Sequence, residues 1–112
     1  MFASQHGLDN LNLVVDNNGI AMLGYTQEIV SNGDLSSRLR SFGWECWEVD
    51  GHDVSAVQEE LTRSKSTRSG KPKAVITNTL KGRGVPGLEN APLSHILNPK
   101  PEVIDDLLKE FE

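Results

Sequence analysis

Leu11-Asn12-Leu13-Val14-Val15-Asp16-Asn17-Asn18-Gly19-Ile20 is the stretch on which the fold turns. Leu11 to Val15 reads as a short buried strand, and Asp16-Asn17-Asn18-Gly19 as the turn that ends it. Val14 and Val15 stand side by side, breaking the alternation of a half-buried strand. They predict a strand covered on both faces in a parallel sheet. Downstream, Tyr25 to Gly33 is irregular and polar. Asp34 can cap a helix to Phe42, with Leu35, Leu39 and Phe42 recurring at i, i+4, i+7, and Gly43 stops it. Trp44 to Val49 is a second strand. Asp50-Gly51-His52-Asp53 turns the chain, with Asp53 capping a helix whose inner stripe is Val54, Val57 and Leu61. That helix fades into the Ser-rich stretch from Ser64 to Gly70. Ala74 to Thr77 is the third strand, and Leu80 to Leu97 a loop of functional length. Pro99 or Pro101 can open the last helix, where a missing N–H costs little. Ile104, Leu107, Leu108 and Phe111 form its apolar face.

The first eight residues, MFASQHGL, look like the final turns of a helix, too short to stand alone. The order is therefore partial helix, strand, helix, strand, helix, strand, long loop, helix. Such alternation predicts an α/β layer with parallel strands and right-handed crossovers. A chain of 112 residues suits one small domain, yet it buries comparatively little of its own surface. Support from a partner is an expectation from the outset.

Composition narrows the function classes. Sixteen acidic against 11 basic side chains leave a formal charge of -5, with no basic stripe for a nucleic-acid backbone. Arg63, Lys65, Arg68, Lys71 and Lys73, the densest basic group, read as a solvated loop. The single cysteine, Cys46, excludes disulfide scaffolds and thiolate zinc sites, and between Trp44 and Trp47 it reads as a packing thiol. No signal peptide and no membrane span are visible, so the expected setting is the cytoplasm.

Two motifs could carry chemistry. Asp16-Asn17-Asn18-Gly19-Ile20 lies beyond the carboxyl end of a parallel strand, where ligands of open α/β sheets collect. A carboxylate, an amide oxygen and a main-chain carbonyl suit a magnesium ion holding phosphate. One Asp and one Asn cannot fill six positions, and a self-bonded Asx turn is the competing reading. Lys81-Gly82-Arg83-Gly84 could bring N–H groups to an anion, or be a flexible surface loop. His95, at the end of that loop among small and apolar residues, could donate to a phosphate or shuttle a proton. His52, in its tight turn, reads as structural, and His6 as helix surface or partner contact.

Longer blocks match a family. His6-Gly7-Leu8-Asp9-Asn10-Leu11 with Val14-Val15-Asp16-Asn17-Asn18-Gly19-Ile20 resembles the middle of the thiamine-diphosphate-binding domain of transketolases. So do Phe42-Gly43-Trp44, Val49-Asp50-Gly51-His52-Asp53, and Thr79-Leu80-Lys81-Gly82-Arg83-Gly84-Val85 ahead of Leu88-Glu89-Asn90. The blocks keep family order across essentially all 112 residues. The resemblance implies a partial three-layer α/β/α thiamine-diphosphate-binding fold, whose parallel sheet is completed by a partner chain. On it, residues 1–112 are the C-terminal portion of that domain.

The same resemblance implies thiamine diphosphate and Mg²⁺ as cofactors. Metal ligation falls on the Asn18 side chain and the Ile20 carbonyl. Asp16 shapes the pocket, Met22 lies beside the thiazolium ring, and His95 is a loop histidine near the diphosphate and the substrate, with catalytic or subunit-seam duty both open. The family's Gly-Asp-Gly motif is absent, as is the pyrimidine-binding domain. Two partners are therefore expected: an upstream transketolase-like subunit carrying Gly-Asp-Gly, and another subunit carrying the pyrimidine domain. The implied reaction moves a two-carbon ketol, or related acyl, unit between small carbonyl or sugar-phosphate substrates. Leu23-Gly24 stands where the family commonly has Asp-Gly, and Ser94-His95-Ile96 where it often has Trp-His-Gly or Val-His-Gly. These departures keep a second reading in view, a non-catalytic structural or regulatory remnant.

Overall fold

The computed structural model describes residues 1–92, 94–96 and 98–109. They fall into two compact units, one of Met1–Asn18 with Asn32–Thr79, the other of Gly19–Ser31 with the chain from Leu80 onward. The first unit holds helix α1 (Phe2–Gln5), strand β1 (Asn12–Asn17), helix α3 (Leu35–Ser41), strand β4 (Glu45–Asp50), helix α4 (Val54–Ser66) and strand β5 (Lys73–Asn78). The second holds the two-residue strands β2 (Ile20–Ala21) and β3 (Gly24–Tyr25), helix α2 (Thr26–Ile29) and helix α5 (Pro101–Lys109).

In the first unit the sheet runs β1-β5-β4, parallel throughout, so the expected α/β class holds. The last strand in sequence is the central one. Its Ala74, Val75 and Ile76 form the core, at 1% exposure or less. Helix α3 packs on β4, and α4 packs on β4 and β5. Both helix starts follow the cap reading: the Asp34 carboxylate accepts from the Ser37 N–H at 2.8 Å, and Asp53 from the Ala56 N–H at 3.0 Å. Gly43 ends α3 at a φ of +85°, and a Cβ there would lie 2.1 Å from the Ser4 hydroxyl oxygen of α1. Cys46 is buried in β4, and burial raises its thiol pKa, with Arg40 opposing and Glu48 and Glu45 reinforcing.

Two expectations about this unit differ from the structure. Strand β1 is an edge, not an enclosed strand: Val14 is 52% exposed and Leu13 38%. Their apolar character is as expected, but among the described residues β5 alone pairs with β1. The inner face of α4 is also shifted. Val54 occupies the first helical turn and is exposed, whereas Val57 and Leu61 are half-buried and Ser64 is fully buried, its hydroxyl donating to the Leu61 carbonyl. Arg63 leaves this face to lie over the Trp47 ring, 5.4 Å from its centroid.

The second unit adds elements beyond those expected. Strands β2 and β3 pair as an antiparallel hairpin, Ile20 opposite Tyr25, with Met22 and Leu23 at its tip. Residues 80–91 form a folded turn series in which Asn90 N–H donates to the Lys81 carbonyl at 2.8 Å and the Tyr25 hydroxyl to the Asn90 carbonyl at 3.2 Å. Pro101 is the first residue of α5, as its missing N–H favours. Val103, Ile104 and Leu108 on α5 are exposed, and Leu107 half-buried. Phe111, expected on this face from its spacing, and Leu97, the expected loop end, lie outside the described residues. No helix among the described residues is long and apolar enough to cross a membrane.

Candidate functional site

Parallel pairing puts the carboxyl ends of three strands in one row, with Asn17 opposite Asn78 and Asn78 opposite Asp50. Just beyond that row the side chains interlock. The Asn17 amide donates to Asn78 Oδ1 at 2.8 Å. The Asn18 amide donates to Asp16 Oδ2 at 2.8 Å, and the Thr79 hydroxyl donates to Asp16 Oδ1. The Thr79 N–H extends the ladder to the Asn17 carbonyl, at 3.4 Å. On the β4 side, the Gly51 N–H donates to the Asn78 carbonyl at 2.8 Å, and the His52 N–H to Asp50 Oδ1 at 2.9 Å. The His52 main-chain N–H thus belongs to a self-bonded turn.

Asp16 therefore accepts from two side chains, one in its own turn and one just past β5. Beside Asn17 a polar hollow of about 250 Å³ is bordered by Asp34, Ser36 and Glu48. Among the described residues no group of three or more His, Cys, Asp or Glu side chains could hold a metal ion.

The remaining sequence-predicted residues belong to the second unit. Ile20 is buried in β2, while Met22 is 57% exposed at the hairpin tip. The Thr26 N–H and hydroxyl both reach the Gly19 carbonyl, at 2.9 and 3.1 Å, pinning the chain just before Ile20. His95 lies in a turn and is exposed. In the Lys81-Gly82-Arg83-Gly84 segment, Gly84 N–H donates to the Glu89 carboxylate at 3.3 Å, so this chain's own anion meets one of the donors considered for a ligand. Gly82 is needed for space as well as its φ of +74°, since a Cβ would stand 2.4 Å from the Leu88 carbonyl oxygen.

Thr79, Asn78 and Asn17 do not stand out by residue type. The available signal is the polar run Thr77-Asn78-Thr79 closing an apolar strand, which reads equally well as an ordinary strand end.

Residues 1–109 match the family model described as transketolase, thiamine diphosphate binding domain. Over 110 residues the chain is 34% identical to an apulose-4-phosphate transketolase subunit of Actinobacillus succinogenes, covering 98% of this chain and 39% of that protein. Over 112 residues it is 33% identical to a 6-deoxy-6-sulfo-D-fructose transketolase subunit of a Clostridium species, covering 100% of this chain and 40% of that one. Among solved structures, the transketolase of Campylobacter jejuni superposes with a TM-score of 0.78 at 29% identity, over 97% of this chain and 17% of that one. The chain thus spans about two fifths of the length of these subunit relatives.

Proposed function

From a chain that belongs to the transketolase family, matching its thiamine-diphosphate-binding domain, we propose one part of a thiamine-diphosphate site that a larger assembly completes. The reaction is transfer of a two-carbon ketol, or related acyl, unit between carbonyl substrates. Residues 1–112 act as the C-terminal portion of the cofactor domain. An upstream subunit supplies the Gly-Asp-Gly aspartate, and a further subunit supplies the pyrimidine-binding domain. Two relatives whose names include "subunit", with the chain spanning about two fifths of each, support a multi-subunit reading.

The observation that carries the proposal is the orientation of Asn18. Its nitrogen donates to Asp16 at 2.8 Å, and an amide oxygen is a ligand of the kind a hard cation takes. The donor set fits part of a magnesium shell: an amide oxygen from Asn18 and a main-chain carbonyl from Ile20. Both are neutral, so the remaining positions need the diphosphate and a carboxylate from elsewhere. Bound thiamine diphosphate supplies the two-carbon carrier chemistry. This chain's residues anchor and orient it: Asn18 and Ile20 through the metal, Asp16 by holding Asn18, and Met22 by offering an apolar surface to the ring. His95 donates a hydrogen bond to a diphosphate oxygen or to the substrate's reacting oxygen, where developing charge strengthens it. Sheet completion rests on β1, whose outer edge carries main-chain donors and acceptors beside exposed Leu13 and Val14.

Co-expression with the genomic neighbours, and purification through a tag on this chain, tests the proposal. The expected product is a heteromeric complex that retains thiamine diphosphate only with Mg²⁺ and moves a two-carbon unit from a ketose phosphate to an aldose phosphate. A chain recovered without partners or cofactor would favour the structural remnant, which the departures at Leu23 and Ile96 also suit.

A further inference from the structure

We infer that Tyr25 is a positioning residue: its hydroxyl ties the Lys81–Asn90 turn to the β2–β3 hairpin, so that both respond together to a bound cofactor. This inference rests on the function proposed above, which gives Ile20 and Met22 of the hairpin to the cofactor site. It adds a residue and a second segment to that site. The hairpin and the turn belong to the same compact unit. Tyr25 has a firm base there. It stands opposite Ile20 in the hairpin pairing, and the next residue, Thr26, reaches the Gly19 carbonyl with both its N–H and its hydroxyl. From that base a half-buried phenol, with only two side-chain torsions, carries its hydroxyl to the Asn90 carbonyl at 3.2 Å.

The turn is braced within itself. Asn90 N–H closes it on the Lys81 carbonyl at 2.8 Å, Val85 N–H donates to the Gly82 carbonyl at 3.0 Å, and Gly84 N–H meets the Glu89 carboxylate at 3.3 Å. A Cβ on Gly82 would stand 2.4 Å from the Leu88 carbonyl oxygen, so the two sides of the turn lie in near contact. A segment closed in this way moves as one piece about its neck, and Asn90 is at the neck. Among the described residues Asn90 is the one non-glycine with a left-handed backbone, at a φ of +49°. Its N–H serves the turn and its carbonyl serves Tyr25. One residue thus closes the turn and receives the hairpin. Order imposed on the hairpin by a metal-bound cofactor then passes to the turn that bears Lys81 and Arg83. By linkage, the tie strengthens the hold on the cofactor by the same factor. A single hydrogen bond sets that factor at about two- to tenfold.

The test uses the full chain in the assembly in which it purifies, with thiamine diphosphate and Mg²⁺ as the probe. Hydrogen exchange of the Asn90 amide is followed with and without cofactor, beside cofactor affinity and thermal unfolding. In the parent, cofactor should slow Asn90 exchange. Tyr25→Phe removes the hydroxyl alone, and in the presence of cofactor it should speed Asn90 exchange about two- to tenfold. Cofactor binding should weaken by a similar factor, with an unchanged melting temperature. Tyr25→Leu, which lacks the ring as well, should match Tyr25→Phe in Asn90 exchange. A Phe variant that behaves like the parent while the Leu variant is impaired would overturn the role of the hydroxyl, in favour of ring packing. Faster exchange throughout the Phe variant, with a lowered melting temperature, would overturn it in favour of a purely structural tyrosine. Cofactor that binds the parent without moving Asn90 exchange would overturn the tie and spare the proposed function. Parent protein that binds no thiamine diphosphate would overturn the proposed function and this inference together.

Discussion

Gly51 shows how a position with ordinary backbone torsions can still require glycine. A Cβ there would stand 2.3 Å from the Thr79 methyl carbon and 3.0 Å from Thr77 Cβ, on the central strand and just past its end. Gly51→Ala is therefore expected to destabilise the chain by about 1–3 kcal/mol, the usual cost of overpacking, read from urea unfolding. Adding Thr79→Ser removes the nearest atom and should recover part of that loss, a departure from additivity that a double-mutant cycle measures. Asp34 offers a second test. Its carboxyl is held down at about 2, first by the Ser37 hydroxyl, then by the Ser37 N–H and Ser36. A depressed folded-state pKa gives stability that is present above the unfolded value, near about 4, and disappears as pH falls through about 2. Urea unfolding between those limits should weaken with falling pH in the parent. In Asp34→Ala the slope should be shallower, because the cap is already gone. An identical slope would show that the cap contributes nothing to the acid limb.

At the level of elements, the two edges of the sheet contrast. Strand β4 carries Glu45, Glu48 and Asp50, charges that discourage further pairing, and both α3 and α4 pack against it. Strand β1 has no such guard before Asp16, and Leu11, Leu13 and Val14 are 40%, 38% and 52% exposed. Val14→Lys should reduce association at least about tenfold, whether with a co-purified subunit or between copies, in sedimentation velocity. The melting temperature of the chain itself should change little. Unchanged association would move the seam away from β1. The same contrast explains what the sequence can tell. Caps and stops are legible at Asp34, Gly43 and Asp53 because one side chain or one missing Cβ determines each. Val14-Val15 announces a strand with two apolar faces, but no residue in it can say whether this chain covers them. The β2–β3 hairpin escapes a sequence reading because two-residue strands are too short to show a period. For the candidate site, Asp16 and Asn18 are readable from their motif. Thr79 is not, because the partner of its hydroxyl lies 63 positions away.

Across the whole molecule, the sheet's order in space and its order in time are at odds. Strand β5 begins at Lys73, yet it is the only strand that pairs with β1 and with β4 among the described residues. On a translating ribosome, β1 and β4 emerge before β5, the strand that joins them. Helices α3 and α4 can form locally meanwhile, but their apolar sides have only an unpaired β4 to meet. The joining of β1 to β4 waits for the six residues Lys73–Asn78, and closing so long a loop before any reward is the slow part of such a topology. Until Asn78 is made, the nascent chain therefore holds β1 and β4 without the strand that joins them, a condition that invites chaperone capture or premature aggregation.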